Sequence, residues 1–143
     1  MNILVSACLL GVHCRYDGTG VLQKDLERLA EKHNLIPVCP EIYGGLATPR
    51  EPAERIGEKI VTCSGEDVTE QYTKGAEEIL ALAKFYNCQY AILKERSPSC
   101  GYGKIYDGTF SGTLVEGDGM TAQLLSRHGI QVFGESKIAQ FDV

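Results

Sequence analysis

The chain has 143 residues, 43% of them apolar and 23% charged, and a net charge of −5. These figures fit one globular domain, here taken as residues 1–143, and exclude a disordered or fibrous chain. The acidic balance argues against a face that grips duplex nucleic acid, which needs clustered lysine and arginine, but leaves a free nucleobase or nucleoside open.

The first residues, Met1-Asn2-Ile3-Leu4-Val5, carry no basic run and too short an apolar stretch for a secretory signal. No later stretch approaches the ~20 apolar residues that span a bilayer. The expectation is a cytoplasmic protein with no membrane partner, whose six cysteines stay reduced. Ile3-Leu4-Val5-Ser6-Ala7 reads as a buried parallel strand. Leu22, Leu26, Leu29 and Ala30 recur at helical spacing, and that helix stops near Asn34. Leu35-Ile36-Pro37-Val38 is a second strand, and Ala53 to Cys63 a small hairpin turning at Gly57. Asp67-Val68-Thr69-Glu70 offers N-cap chemistry for a helix whose apolar stripe is Tyr72, Ala76, Ile79, Leu80 and Ala83. Tyr90-Ala91-Ile92-Leu93 is the third strand.

Residues 97–119 are rich in Gly, Ser and Tyr and lack a period, so they read as one long functional loop. A short helix from Thr121 to His128 closes at Gly129, and Ile130-Gln131-Val132-Phe133 is the fourth strand. Strands alternating with helices predict an α/β fold: a single doubly wound domain with a parallel four-stranded sheet, helices on both faces, and a small β excursion.

Cys8 follows the first strand, Cys39 the second, and Cys100 lies a short loop beyond the third. A parallel sheet gathers all its carboxyl ends along one edge, where ligands bind, so three thiols distant in sequence are expected to meet. Cys63 and Cys88, in or beside apolar segments, read as packing residues. Cys14 is a candidate fourth ligand or resolving thiol. Soft sulfur ligands select zinc, Cu(I) or iron–sulfur clusters. A closed zinc site needs a fourth donor, from Cys14 or His13, whereas three thiolates suit a cubane with one iron left open.

The motifs resemble those of the DUF523 family, which includes the iron–sulfur-dependent thiouracil desulfidases. The matching residues are Val5-Ser6-Ala7-Cys8-Leu9-Leu10-Gly11 with Arg15-Tyr16-Asp17-Gly18, and Val38-Cys39-Pro40-Glu41 with Gly44-Gly45-Leu46 and Pro49-Arg50. They continue with Asp67-Val68-Thr69, Leu93-Lys94, Ser97-Pro98-Ser99-Cys100-Gly101 and Gly117-Asp118-Gly119-Met120-Thr121-Ala122. The resemblance implies a [4Fe–4S] cluster held by Cys8, Cys39 and Cys100, with Glu41 and Ser97 acting on substrate. It implies non-redox desulfuration of a thiolated pyrimidine or related base or nucleoside, with release of hydrogen sulfide. Glu41 would serve as acid and base, and Ser97 would bind the base or steady the attacking water. Ser97, before a proline, has the alternative role of setting the turn.

Arg15, Asp17 and Arg50 either brace the site loops as ion pairs or, for Arg15, touch substrate. Tyr102 and Tyr106 are the candidates for stacking on a base, and Gly117 and Gly119 read as turn glycines. Two rival classes stay open: a non-catalytic zinc or iron–sulfur domain, and a thiol-based sulfur relay that pairs Cys8 with Cys14.

Overall fold

The computed structural model describes residues 1–141. Four strands form one parallel sheet: β1 (Asn2–Ser6), β2 (Asn34–Val38), β5 (Tyr90–Leu93) and β8 (Gln131–Gly134), in the order β2-β1-β5-β8. Pro37, which has no amide hydrogen to donate, is accommodated because β2 is an edge strand, paired on one side with β1. The two central strands are apolar on both faces, and Ile3, Leu4, Val5, Ala91, Ile92 and Leu93 are wholly buried.

Helices cover the sheet on both faces. Leu4, Ala91, Leu93 and Val132 pack on one side against α3 (Thr69–Phe85) and α4 (Met120–Arg127), through Ile79, Ala83, Ala122 and Leu125. Ile3, Val5 and Ile92 pack on the other side against Leu26 and Leu29 of α1 (Lys24–Ala30) and Ile138 of a closing 3-10 turn. The first helix is shorter than the sequence suggests. Leu22 lies outside it and is exposed, leaving Leu26 and Leu29 as its buried contacts.

β3 (Ala53–Ile56) and β4 (Lys59–Thr62) form the expected hairpin around Gly57. The long loop holds a second hairpin that the sequence hid, β6 (Lys104–Tyr106) paired with β7 (Leu114–Glu116). Strands of three residues are too short to show an alternation. Cys88 is buried as expected, but Cys63 is exposed: it ends the hairpin, where its thiol faces Glu51 at 3.7 Å.

Two close approaches set the geometry of the carboxyl edge. A one-turn helix, α2 (Pro40–Tyr43), starts directly after Cys39 and is pressed onto α3. A Cβ on Gly75 would stand 2.0 Å from the Pro40 carbonyl oxygen, and one on Gly44 2.0 Å from that of Gln71. Gly75→Ala therefore has to push α2 off α3. It is expected to lower stability by about 1–3 kcal/mol, read as a lower denaturant midpoint at unchanged slope.

The second close approach seats α4 on the loop that carries Cys100. The Met120 amide donates to the Pro98 carbonyl and the amides of Thr121 and Ala122 to that of Ser99, so the first turn of α4 spends its free donors on this loop. A Cβ on Gly119 would lie 2.5 Å from the Ser99 carbonyl carbon. Gly119 is thus a contact glycine that lets the helix meet the loop.

Candidate metal centre and active site

At the carboxyl edge of β1, β2 and β5 lies a pocket of about 690 Å³. Cys8, Cys14, Cys39 and Cys100 all line it, together with Glu41, Ser97, Ser99, Arg15, Arg50, Tyr72 and Lys94. The chain order of the sheet strands reverses between β1 and β5, which makes this edge the place where such folds bind ligands. Cys8 sits in a 3-10 turn that begins as β1 ends, Cys39 caps α2, and Cys100 follows Ser-Pro-Ser beyond β5.

The thiols interact electrostatically. Burial pushes the Cys8 thiol up to about 12, with Cys100, Cys14 and Cys39 adding to the rise and Lys94 opposing it. Burial also raises Cys14 to about 12, and its chief neighbour is Cys39. Cys100 rises to about 11 through burial, against a hydrogen bond from Ser6 that favours its anion. Cys14 thus pairs first with Cys39, whose thiol also faces the Cys14 carbonyl at 3.8 Å.

This donor set tests the fit of a cluster. Sulfurs crowded in a buried pocket stay protonated unless a cation compensates them, and a coordinating metal deprotonates its thiols outright. Among the described residues, no three His, Cys, Asp or Glu side chains close on a single metal ion. The thiols instead surround a cavity, and an all-sulfur set spread over three loops fits an iron–sulfur cubane better than one zinc ion.

Glu41 is held by three donors. Arg50 Nε and the Tyr72 hydroxyl donate to Oε1 at 3.0 and 2.8 Å, and the Ser99 hydroxyl donates to Oε2 at 2.9 Å. The Arg50 guanidinium also donates to the carbonyls of Cys14 and Ala47 and to the Thr48 hydroxyl, tying together the loops around the pocket. Burial first, and Glu41 second, raises the Tyr72 hydroxyl above its ordinary value, so it stays a donor. A carboxylate offers about four lone-pair positions. Two on Oε1 and one on Oε2 are occupied, which leaves one on Oε2 for a ligand.

Ser97 lines the pocket, and its oxygen accepts the Cys100 amide at 2.8 Å. The turn-setting role is therefore real, yet the hydroxyl proton is only loosely engaged, 3.4 Å from the Ser99 oxygen. Sequence reasoning overlooked Ser99 and placed Tyr72 simply in a helix stripe. The spacing of Ser99 to Cys100, and of Tyr72 one turn into a helix facing α2, becomes meaningful only once α2 is docked.

Arg15 lines the pocket with its guanidinium over the Tyr16 ring at 5.9 Å, while the exposed Asp17 accepts from the amide and hydroxyl of Thr19 in a local turn. Of the brace residues, Arg50 makes the ion pair. Tyr102 does not reach this site. Gly103 adopts φ +85 and gives its amide to Asp118, and the turn carries Tyr102 to a separate groove beside Phe133 and Phe141. Tyr106 and Phe110 line the thiol pocket instead.

A family model described as 2-thiouracil desulfurase matches residues 3–137. The uncharacterized protein YbbK of Bacillus subtilis (strain 168) is 49% identical over 146 residues, covering 95% of this chain and 97% of that protein. A solved structure described as a [4Fe–4S]-dependent thiouracil desulfidase, TudS (DUF523Vcz), superposes with a TM-score of 0.92. It is 49% identical, over 97% of this chain and 93% of that one.

Proposed function

We propose the following reading for this chain, which belongs to the 2-thiouracil desulfurase family: it replaces the sulfur of a thiolated pyrimidine with oxygen, converting 2-thiouracil and water to uracil and hydrogen sulfide. The atoms balance with no electrons left over, so no electron donor is required. The observation that carries the reading is the meeting of Cys8, Cys39 and Cys100 with the Glu41 carboxylate around one pocket at the sheet edge.

Cys8, Cys39 and Cys100 would hold a [4Fe–4S] cluster; when bound, it supplies a soft Lewis acid at its open iron that draws on the thiocarbonyl sulfur. The remaining work falls to side chains. Arg50, Tyr72 and Ser99 fix the Glu41 carboxylate so that its one open lone pair on Oε2 points its basicity at a single place. There Glu41 takes a proton from water as it attacks the ring carbon, then returns it to the departing sulfur. Ser97, anchored by the Cys100 amide, keeps its hydroxyl proton available for the substrate. Val38, Pro40, Pro52, Ala53 and Pro98 contribute apolar wall beside these polar groups.

No helix among the described residues is long and apolar enough to cross a membrane. We place the protein in the cytoplasm as a single domain, where its thiols remain reduced, and its net charge of −5 favours small uncharged ligands over duplex nucleic acid. The test is anaerobic incubation of cluster-reconstituted protein with 2-thiouracil, following sulfide release, uracil formation and loss of thiocarbonyl absorbance. Equal amounts of uracil and sulfide are expected. Reconstituted protein that carries iron and sulfide yet yields neither product overturns the reading.

A further inference from the structure

Four aromatic side chains, Tyr16, Tyr72, Tyr106 and Phe110, line the thiol pocket, and Tyr72 is buried with its hydroxyl on Glu41. Tyr16 already has the Arg15 guanidinium near its ring, and Tyr106 is half-buried in the β6–β7 hairpin. Phe110 differs from all three. Its φ is +57, a left-handed conformation that a bulky residue seldom adopts. The residue is 38% exposed and lines the pocket, and its ring stacks on no other aromatic ring among the described residues.

A single carboxylate oxygen holds this conformation. Oε1 of Glu54, a buried side chain on β3, accepts the amides of Gly108 at 2.9 Å and Phe110 at 3.1 Å. Gly108 lies so flush on the hairpin that a Cβ there would meet Ile56 at 2.3 Å. Charge-assisted hydrogen bonds to a buried anion offset the strain of the left-handed turn. The fold therefore spends a buried charge on presenting one unpaired aromatic ring to the pocket.

We propose that Phe110 is the stacking wall for the pyrimidine ring and that Glu54 is the residue that positions it. This rests on reading the pocket as a thiopyrimidine site and adds a source of selectivity: flat cyclic thioamides are favoured over acyclic ones. A base has a π face whatever its substituents, so one exposed ring recognises the substrate class without hydrogen bonds.

The experiment is anaerobic calorimetry of 2-thiouracil binding to the reconstituted protein, with steady-state kinetics on 2-thiouracil and thioacetamide alongside. F110A is expected to raise Kd and KM for 2-thiouracil about 5- to 140-fold, the range for loss of base–aromatic stacking. Its kcat, its iron content and its kcat/KM for thioacetamide stay within about threefold, and F110Y stays within about twofold throughout. E54A should reproduce the KM effect and add little in the E54A/F110A double variant, since both remove one interaction. E54Q keeps an acceptor oxygen but not the charge, so its KM is expected to fall between the parent and E54A. An F110A variant that binds 2-thiouracil as tightly as the parent, while the parent turns it over, overturns the inference and leaves the desulfuration reading standing. A parent that neither binds nor converts 2-thiouracil overturns both.

Discussion

Replacing any one of Cys8, Cys39 or Cys100 with alanine is expected to strip iron and acid-labile sulfide from the anaerobically reconstituted protein and to reduce desulfuration to background. A cubane held by three protein thiolates cannot fall to two without exposing a second iron, so the loss should be near complete. Burial strengthens the expectation, since Cys8 and Cys100 are 8% and 5% exposed and water cannot easily replace the missing sulfur. Cys14→Ala, Cys63→Ser and Cys88→Ser should keep the metal. Cys88 is buried in the α3–α4 core and its change should lower stability; Cys63 is exposed and its change should do little. Iron and sulfide per chain are the measurements. Full iron and turnover in Cys39→Ala would remove Cys39 from the ligand set.

Glu41→Gln is expected to keep its cluster and lose turnover by about 10²- to 10⁴-fold, the usual contribution of a positioned acid–base group. Glutamine has nearly the same shape, so its carbonyl can still accept from Arg50 and Tyr72. Its side-chain nitrogen, however, would face the Ser99 hydroxyl and offer no lone pair where the carboxylate has one. The change also leaves the Arg50 guanidinium, whose side chain is 9% exposed, without its counter-ion. Some loss of stability should accompany the loss of rate. Iron content together with kcat separates the two effects. A Glu41→Gln protein with normal iron and normal kcat would remove the proton-transfer role.

The parallel sheet was legible in the sequence because each strand is a short, largely apolar run bounded by polar or turn residues, and β5 falls on the residues expected, Tyr90 to Leu93. The convergence of Cys8, Cys39 and Cys100 was legible for the same reason: strand ends can be counted, and topology does the rest. What eluded sequence reasoning depends on tertiary docking. The role of Ser99 follows from a helix docking its amides on the Ser99 carbonyl while the hydroxyl turns to Glu41, and no periodicity encodes that. Tyr102 and Phe110 are both aromatic residues in one long loop. Which of them reaches the pocket is decided by positive-φ turns at Gly103 and Phe110 and by the Glu54 anchor, all of them long-range or conformational.

The three thiols at the sheet edge have a consequence for biosynthesis. Adjacent cysteines in a knuckle can capture metal on an unfolded chain, but here the final donor does not leave the ribosome until more than two-thirds of the polypeptide exists. The pairing of β5 beside β1 must then be complete before all three sulfurs face one another. The proposed ligand set therefore comes together only as the sheet forms, with the Arg50 side chain as well as the backbone holding the loops that carry it.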